Sequence, residues 1–217
     1  MQTLTRLIVS NGLSNRLLYD SQLARLVEGS DQRRYHLVNR AIKARELVRL
    51  RRGRYLLDES FRNHPPHPFA LAQAFAPGSY VSFETALAHH GWIPEAVYTT
   101  ACVTSMKKSR QVSHERYGHF SFHPLAIRQG RFLELVDRVR IQDQSMLIAE
   151  PARAMIDLVC LRKTDWQGLD WLTDGLRVDE DDLNQISSAQ LRTLAETYKH
   201  RRVNDFVKSL AREIGNN

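Results

Sequence analysis

Between Ser30 and Leu57 the hydrophobic period of the chain switches from that of a helix to that of a strand, and no other stretch constrains the fold as tightly. Gly29 closes the segment before it. Ser30 is placed to accept a backbone N–H as a helix cap, and Asp31 puts a negative charge in the first turn, where the helix dipole favours it. At about 100° per residue, Tyr35, Leu37, Val38, Ala41 and Ile42 fall on one arc roughly 160° wide, the stripe of an amphipathic helix. Gln32, Arg33, His36, Asn39, Arg40 and Lys43 fall on the opposite arc, and Arg34 alone lies among the apolar positions. Directly after the helix, Leu47-Val48-Arg49-Leu50-Arg51 and Arg54-Tyr55-Leu56-Leu57 flank Arg52-Gly53. Two short β-prone runs around a two-residue turn containing glycine predict a hairpin.

The polar arc of this helix holds Arg, Lys, His, Gln and Asn and no acid. Those are the side chains that reach phosphates and base edges from a helix lying in a major groove. We therefore expect double-stranded DNA as a partner. Arg33 and Asn39 are expected to read bases, Arg40 and Lys43 to hold phosphates, and His36 to face the groove beside them. Arg49, Arg51, Arg52 and Arg54 are expected to hold flanking phosphates or the minor groove from the hairpin tip. A solvated basic face on an ordinary helical hairpin is the plainer alternative. An acid-free helix face followed at once by an arginine-rich hairpin argues against it. Charge points the same way. The chain of 217 residues carries a net charge of +7, but residues 1–57 hold 12 lysines and arginines against 4 acids, and the remainder holds 19 against 20. Segregation of this kind indicates a polyanion-binding module joined to a neutral one.

Upstream, Leu4, Leu7 and Ile8 recur at helical spacing before Asn11-Gly12, Leu17–Tyr19 is a candidate strand, and Asp20-Ser21 can cap a second helix. Helix, tight glycine turn, basic helix and hairpin together make a winged helix-turn-helix over residues 1–58. Residues 59–67, polar and bearing Pro65 and Pro66, are expected to form a linker. Pro68 suits the first position of a helix and opens the second domain, 68–217. There, short strands are predicted through Tyr80–Ser82, Tyr98–Thr104, Gln111–Glu115, His119–His123, Phe132–Val136, Val139–Gln142 and Ser145–Ala149. The signal turns helical from Pro151, with later helices at Trp166–Leu172, Ala189–Tyr198 and Arg201–Ile214. The expected fold class is α+β: an N-terminal winged helix-turn-helix domain, then a mixed α/β domain with a helical C-terminal part.

Enzymatic signatures are missing. HExxH, GxSxG, the P-loop and GxGxxG do not occur, and no lysine has an acid two positions before it, as an Asp/Glu-x-Lys nuclease would require. Asp179-Glu180-Asp181 lacks the upstream Gly-Ser of a polymerase-beta type nucleotidyltransferase and fits a solvated loop or helix start. His64 and His67 stand in the proline-bearing segment without further ligands nearby, and His89-His90 point to different helix faces, so neither catalytic residues nor metal or cofactor are expected. Cys102 and Cys160 are widely separated in apolar runs, which predicts buried free thiols in a cytoplasmic protein. No apolar run approaches a membrane span, and the first residues lack the pattern of a signal peptide.

Three stretches carry a family resemblance. ELVRLRRGRYLL, PFALAQAFAPGSYVSFETALAHHGWIP and IAEPARAMIDLV resemble, respectively, the winged-helix ending, the strand–helix signature closed by His-Gly, and the later strand and proline-containing helix of the AbiEi-family antitoxins of type IV toxin–antitoxin (abortive infection) systems. The likeness spans roughly residues 1 to 160, with Pro151-Ala152-Arg153 standing where a Pro-Glu-Lys-like segment is expected. It implies an autorepressor of its own promoter whose second domain counteracts a nucleotidyltransferase toxin. A ligand-responsive winged-helix repressor without a toxin partner is the alternative, and an enzyme with an unrecognised site the third reading.

Overall fold

The computed structural model describes residues 1–142 and 144–215. Among the described residues the chain is a mixed α+β structure of ten α-helices and two sheets. It divides into two compact units: Met1–Pro77 with Arg140–Met146, and Gly78–Val139 with Leu147–Asn217. The segment expected as a linker, 59–67, falls inside the first unit and includes a single 3-10 turn, Glu59–Phe61.

In the first unit, α1 (Thr3–Ser10), β1 (Leu18–Tyr19), α2 (Asp20–Leu26), α3 (Asp31–Lys43), β2 (Leu47–Arg51), β3 (Arg54–Leu57) and α4 (Pro68–Phe75) follow in chain order. The three strands form an antiparallel sheet in the order β1-β3-β2. Leu4 and Ile8 of α1, Leu23 and Val27 around α2, and Val38 and Ala41 of α3 close one core with Leu18, Leu47, Tyr55 and Leu57. The β2–β3 register shifts between Arg49 and Arg51. This irregularity breaks the two-residue alternation, so that Leu47 and Leu50 are both buried although three positions apart. In β3 Tyr55, Leu56 and Leu57 are buried in succession, as in a strand covered on both faces, and α4 lies against β2.

Helix α3 begins as expected, with the Ser30 hydroxyl accepting from the Arg33 N–H at 3.3 Å. It ends without glycine. Arg45 takes φ +58°, and the backbone N–H groups of Arg45 and Glu46 donate to Ile42 and Ala41 at 2.9 Å each, the paired bonds of a Schellman-type stop.

The second unit contains β4 (Tyr80–Val81), α5 (Phe83–His89), β5 (Thr99–Val103), β6 (Arg110–His114), β7 (Gly118–His123), α6 (Pro151–Arg162), α7 (Asp170–Thr173), α8 (Glu180–Asn184), α9 (Ser188–Thr197) and α10 (Arg201–Ile214). Strands β8 (Val136–Ile141) and β9 (Gln144–Ala149) complete its sheet, in the order β6-β7-β5-β4-β9-β8. Pairing is mixed: β5–β7 and β4–β9 run parallel, β4–β5 and β6–β7 antiparallel. Helix α6 starts on Pro151 and is buried from Ala152 through Cys160, so it runs through the core rather than over it. Phe132–Val136, expected as a strand, is instead a succession of turns up to Val136, where β8 begins. Its carbonyls are needed elsewhere, as shown below. Cys102 and Cys160 are free and buried.

Candidate nucleic-acid interface

The residues expected to meet DNA separate into those held by the protein and those left free. Arg40, Lys43 and Arg52 are exposed, and their side chains make no hydrogen bond or ion pair among the described residues. His36 is exposed beside Tyr35, ring to ring at 6.1 Å. Arg33 is exposed, but its Nη1 donates to the Glu28 carbonyl at 3.0 Å. Asn39 is half-buried, and its Oδ1 accepts from Arg49 Nη2 at 3.3 Å. Arg49 therefore joins the hairpin to the middle of α3, and its guanidinium also lies 5.8 Å from the Tyr55 ring centre.

The other two hairpin arginines are committed. Arg51 Nη1 donates to the Phe75 carbonyl at 2.8 Å. Arg54 is half-buried, with its guanidinium 4.3 Å over the Tyr19 ring and its Nη1 on the Gly53 carbonyl at 3.0 Å. Of the four, Arg52 alone stands at the turn without a partner among the described residues. Among the described residues the hairpin is thus a braced element with one free cation, where the sequence suggested a tip with four.

Two positions on α3 exchange the roles assigned to them. Tyr35, placed on the apolar arc, is 63% exposed. Arg34, unexplained among the apolar positions, is half-buried and binds Asp31 at 2.8 Å and Asp20 at 3.6 Å. The reason is azimuth. Val38 and Ala41, the buried residues of α3, flank the direction of Arg34, whereas Tyr35 lies about 90° from the centre of that stripe. Asp31, one turn before Arg34, was legible as a partner; Asp20, on α2 and 14 positions away, was not. Tyr35 thereby joins His36 and Arg40 on the open face.

A second group of charged residues was not anticipated. On α6, Arg153 and Asp157 are both fully buried and paired, Nε to Oδ1 at 3.0 Å. The Asp157 carboxylate also accepts from Tyr198 at 2.6 Å, Tyr80 at 2.9 Å and the Ser82 hydroxyl at 2.7 Å. Arg153 Nη2 donates to the Tyr80 hydroxyl at 2.6 Å, and Nη1 to the Glu134 carbonyl at 2.7 Å. Burial, reinforced by the Asp157 charge, pushes both tyrosine hydroxyls well above their ordinary pKa, so they remain donors. For Arg153 burial disfavours the charge, but Asp157 and the tyrosines outweigh it and hold the guanidinium charged. A carboxylate with four donors has no valence left for a substrate, and this centre is structural.

Among the described residues no group of three or more His, Cys, Asp or Glu is placed to hold a metal ion, and no helix is long and apolar enough to cross a membrane.

No family model matches the chain, and no curated protein matches it. Among solved structures it is similar to the crystal structure of the RV2827C protein from Mycobacterium tuberculosis, with a TM-score of 0.56 and 16% identity over 99% of this chain and 78% of that one. At that identity the likeness extends to the α+β fold and no further.

Proposed function

We propose that this chain is a DNA-binding autorepressor and an antitoxin: its first 58 residues act as a winged helix-turn-helix on the operator of its own promoter, and its second part counteracts a cognate nucleotidyltransferase toxin. The observation that carries the DNA reading is the open face of α3, where His36, Arg40 and Lys43 stand exposed with Arg52 exposed on the hairpin after it. The order α1, β1, α2, α3, β2, β3 supports the winged-helix reading. Support for the antitoxin role is the resemblance of the three motifs to AbiEi-family sequences. In this reading α3 enters the major groove, Asn39 and Arg33 meet base edges, Arg40 and Lys43 hold phosphates, and Arg52 reaches the backbone or minor groove alongside.

Fluorescence anisotropy with the upstream promoter tests the first half. Arg40→Glu combined with Arg52→Glu should abolish binding at physiological salt, and a double variant that still binds like the parent overturns the assignment. Growth rescue tests the second. Co-expression from an unrelated promoter should protect cells from a cognate nucleotidyltransferase toxin, and the same double variant should still protect; failure to protect against any such toxin encoded in its operon overturns the antitoxin role. A ligand-responsive repressor without a toxin is the second reading, favoured by a cavity in the second unit.

A further inference from the structure

We infer that this cavity, lined by Phe83, Ser121 and His123 in the second unit, binds a neutral heteroaromatic compound with amino or amide edges, the chemical class of the nucleosides. Its volume is about 570 Å³, within the range that encloses small ligands.

Strand β7 presents Ser121 and His123 to it, two residues apart and so on one face. Neither the Ser121 hydroxyl nor the His123 imidazole has a hydrogen-bond partner among the described residues. Thr85, in the same wall, differs: its hydroxyl donates to the Thr99 carbonyl and accepts from the Ala101 N–H, both at 3.0 Å. The wall thus has one saturated polar group and two open ones, and a hydroxyl beside a neutral imidazole offers donors and acceptors together. The imidazole is held neutral because burial lowers its pKa, an effect the Glu84 charge only partly offsets.

Phe83 provides an independent observation. It is fully buried at φ +57°, a left-handed conformation that a bulky aromatic residue rarely adopts and that persists where surrounding structure enforces it. Its ring lies edge-on to His123, 5.7 Å away at 89°. At the rim, Val97 and Tyr98 are 37% and 89% exposed, leaving an aromatic side chain in solvent beside the opening. His123 and Tyr98 supply ring surfaces for a planar ligand, and Phe83 backs His123 from the core. The charges lining the cavity are Glu84, Glu95 and Arg162; Arg162 donates to Glu84, and Arg177, outside the lining, donates to Glu95 at 3.3 Å. No uncommitted cation remains there for a phosphate, so the phosphorylated forms of the same compounds are disfavoured.

Calorimetry on the full chain tests this with adenosine and cytidine, and with their 5′-monophosphates as charge controls. Saturable one-to-one binding of at least one nucleoside is expected, weaker by about tenfold for its monophosphate, and weaker by about tenfold in Ser121→Ala and in His123→Ala, each having lost one hydrogen bond to the ligand. Hydrogen exchange on the unmodified chain removes dependence on how the variants fold: the bound nucleoside should slow exchange at 95–101 and 119–123. No saturable binding up to millimolar concentration overturns the proposal. So does equal or tighter binding of the monophosphate, unchanged affinity in both folded variants, or slowed exchange confined to other segments.

Discussion

Arginine is used in opposite ways in the two units. On α3 and its hairpin, Arg40 and Arg52 stand in water with no partner among the described residues. On α6, Arg153 is wholly out of water and committed to a carboxylate, a tyrosine hydroxyl and a backbone carbonyl. An exposed, uncommitted cation adds little to folding and is available to a polyanion. A buried one must be paired to be tolerated at all, and removal of its partner leaves an uncompensated charge in the core. If this contrast is right, one set of arginines can be altered with effects on binding alone, and the other only with effects on folding.

The sharpest way to break the contrast is Asp157→Ala. It leaves Arg153 buried without its counter-charge and withdraws the acceptor of Tyr80, Ser82 and Tyr198. Loss of about 3–5 kcal/mol is expected in urea unfolding of the second unit. Arg40→Ala should stay within about 0.5 kcal/mol of the parent, as surface substitutions do. A stable Asp157→Ala chain, or an unstable Arg40→Ala one, would mean that the two regions do not differ as described.

Next in size is the coupling between Asn39 and Arg49. Because Arg49 Nη2 donates to Asn39 Oδ1, the arginine positions the amide proposed to read a base. Asn39→Ala should cost about 1–3 kcal/mol of specific binding and relax the sequence preference. Arg49→Ala should reproduce part of that relaxation, and the double variant should cost clearly less than the sum of the two. Strict additivity, measured by anisotropy on matched and mutated operators, would reduce Arg49 to a phosphate contact. Smaller still are Arg40→Ala and Arg52→Ala taken singly. Each should weaken all DNA sequences alike and lower the slope of log affinity against log salt by about one. An unchanged slope would remove that residue from the interface.

These predictions rest on distinctions that the sequence carried unevenly. The Ser30 cap, the α3 span and the hairpin around Arg52-Gly53 were legible, because capping, period and turn chemistry are local. Most strands of the larger sheet were legible for the same reason. Which arginines remain free was not. Arg51 is held by a carbonyl 24 positions away and Arg54 by the ring of Tyr19, and no local pattern encodes either contact. Arg153 shows the deeper limit. Its motif reads as an ordinary helix start, and Asp157 four residues on looks like a surface i, i+4 pair. Tyr80 and Tyr198, which make burial of the pair tolerable, lie 73 and 45 positions from Arg153 in the sequence. Phe132–Val136 failed for a related reason: it has strand-forming residues, but the Glu134 carbonyl within it receives Arg153, and a turn presents that carbonyl where a ladder would consume it.

The smallest expected effect carries the contrast to its limit, since it asks whether an arginine of the first unit can be deleted with a gain in stability. Arg45 sits at φ +58° in the stop of α3, a conformation that costs a residue with a Cβ about 1–2 kcal/mol. Its side chain is exposed and without a partner among the described residues, so Arg45→Gly removes strain and no contact. Glycine loses more backbone entropy on folding, about 0.5–1 kcal/mol, and the net expectation is a stabilisation of about 0.5–1 kcal/mol. The 2.9 Å bonds from positions 45 and 46 to Ile42 and Ala41 are backbone bonds and survive the change. Lys43, the last residue of α3 and two positions before Arg45, is proposed to hold phosphate, so the same variant reports whether the interface extends past the helix. A lower salt slope together with a higher melting temperature places Arg45 in the interface at the expense of stability. A lower melting temperature would show instead that the arginine makes a folded-state contribution, and the division between binding arginines and folding arginines would not hold at this position.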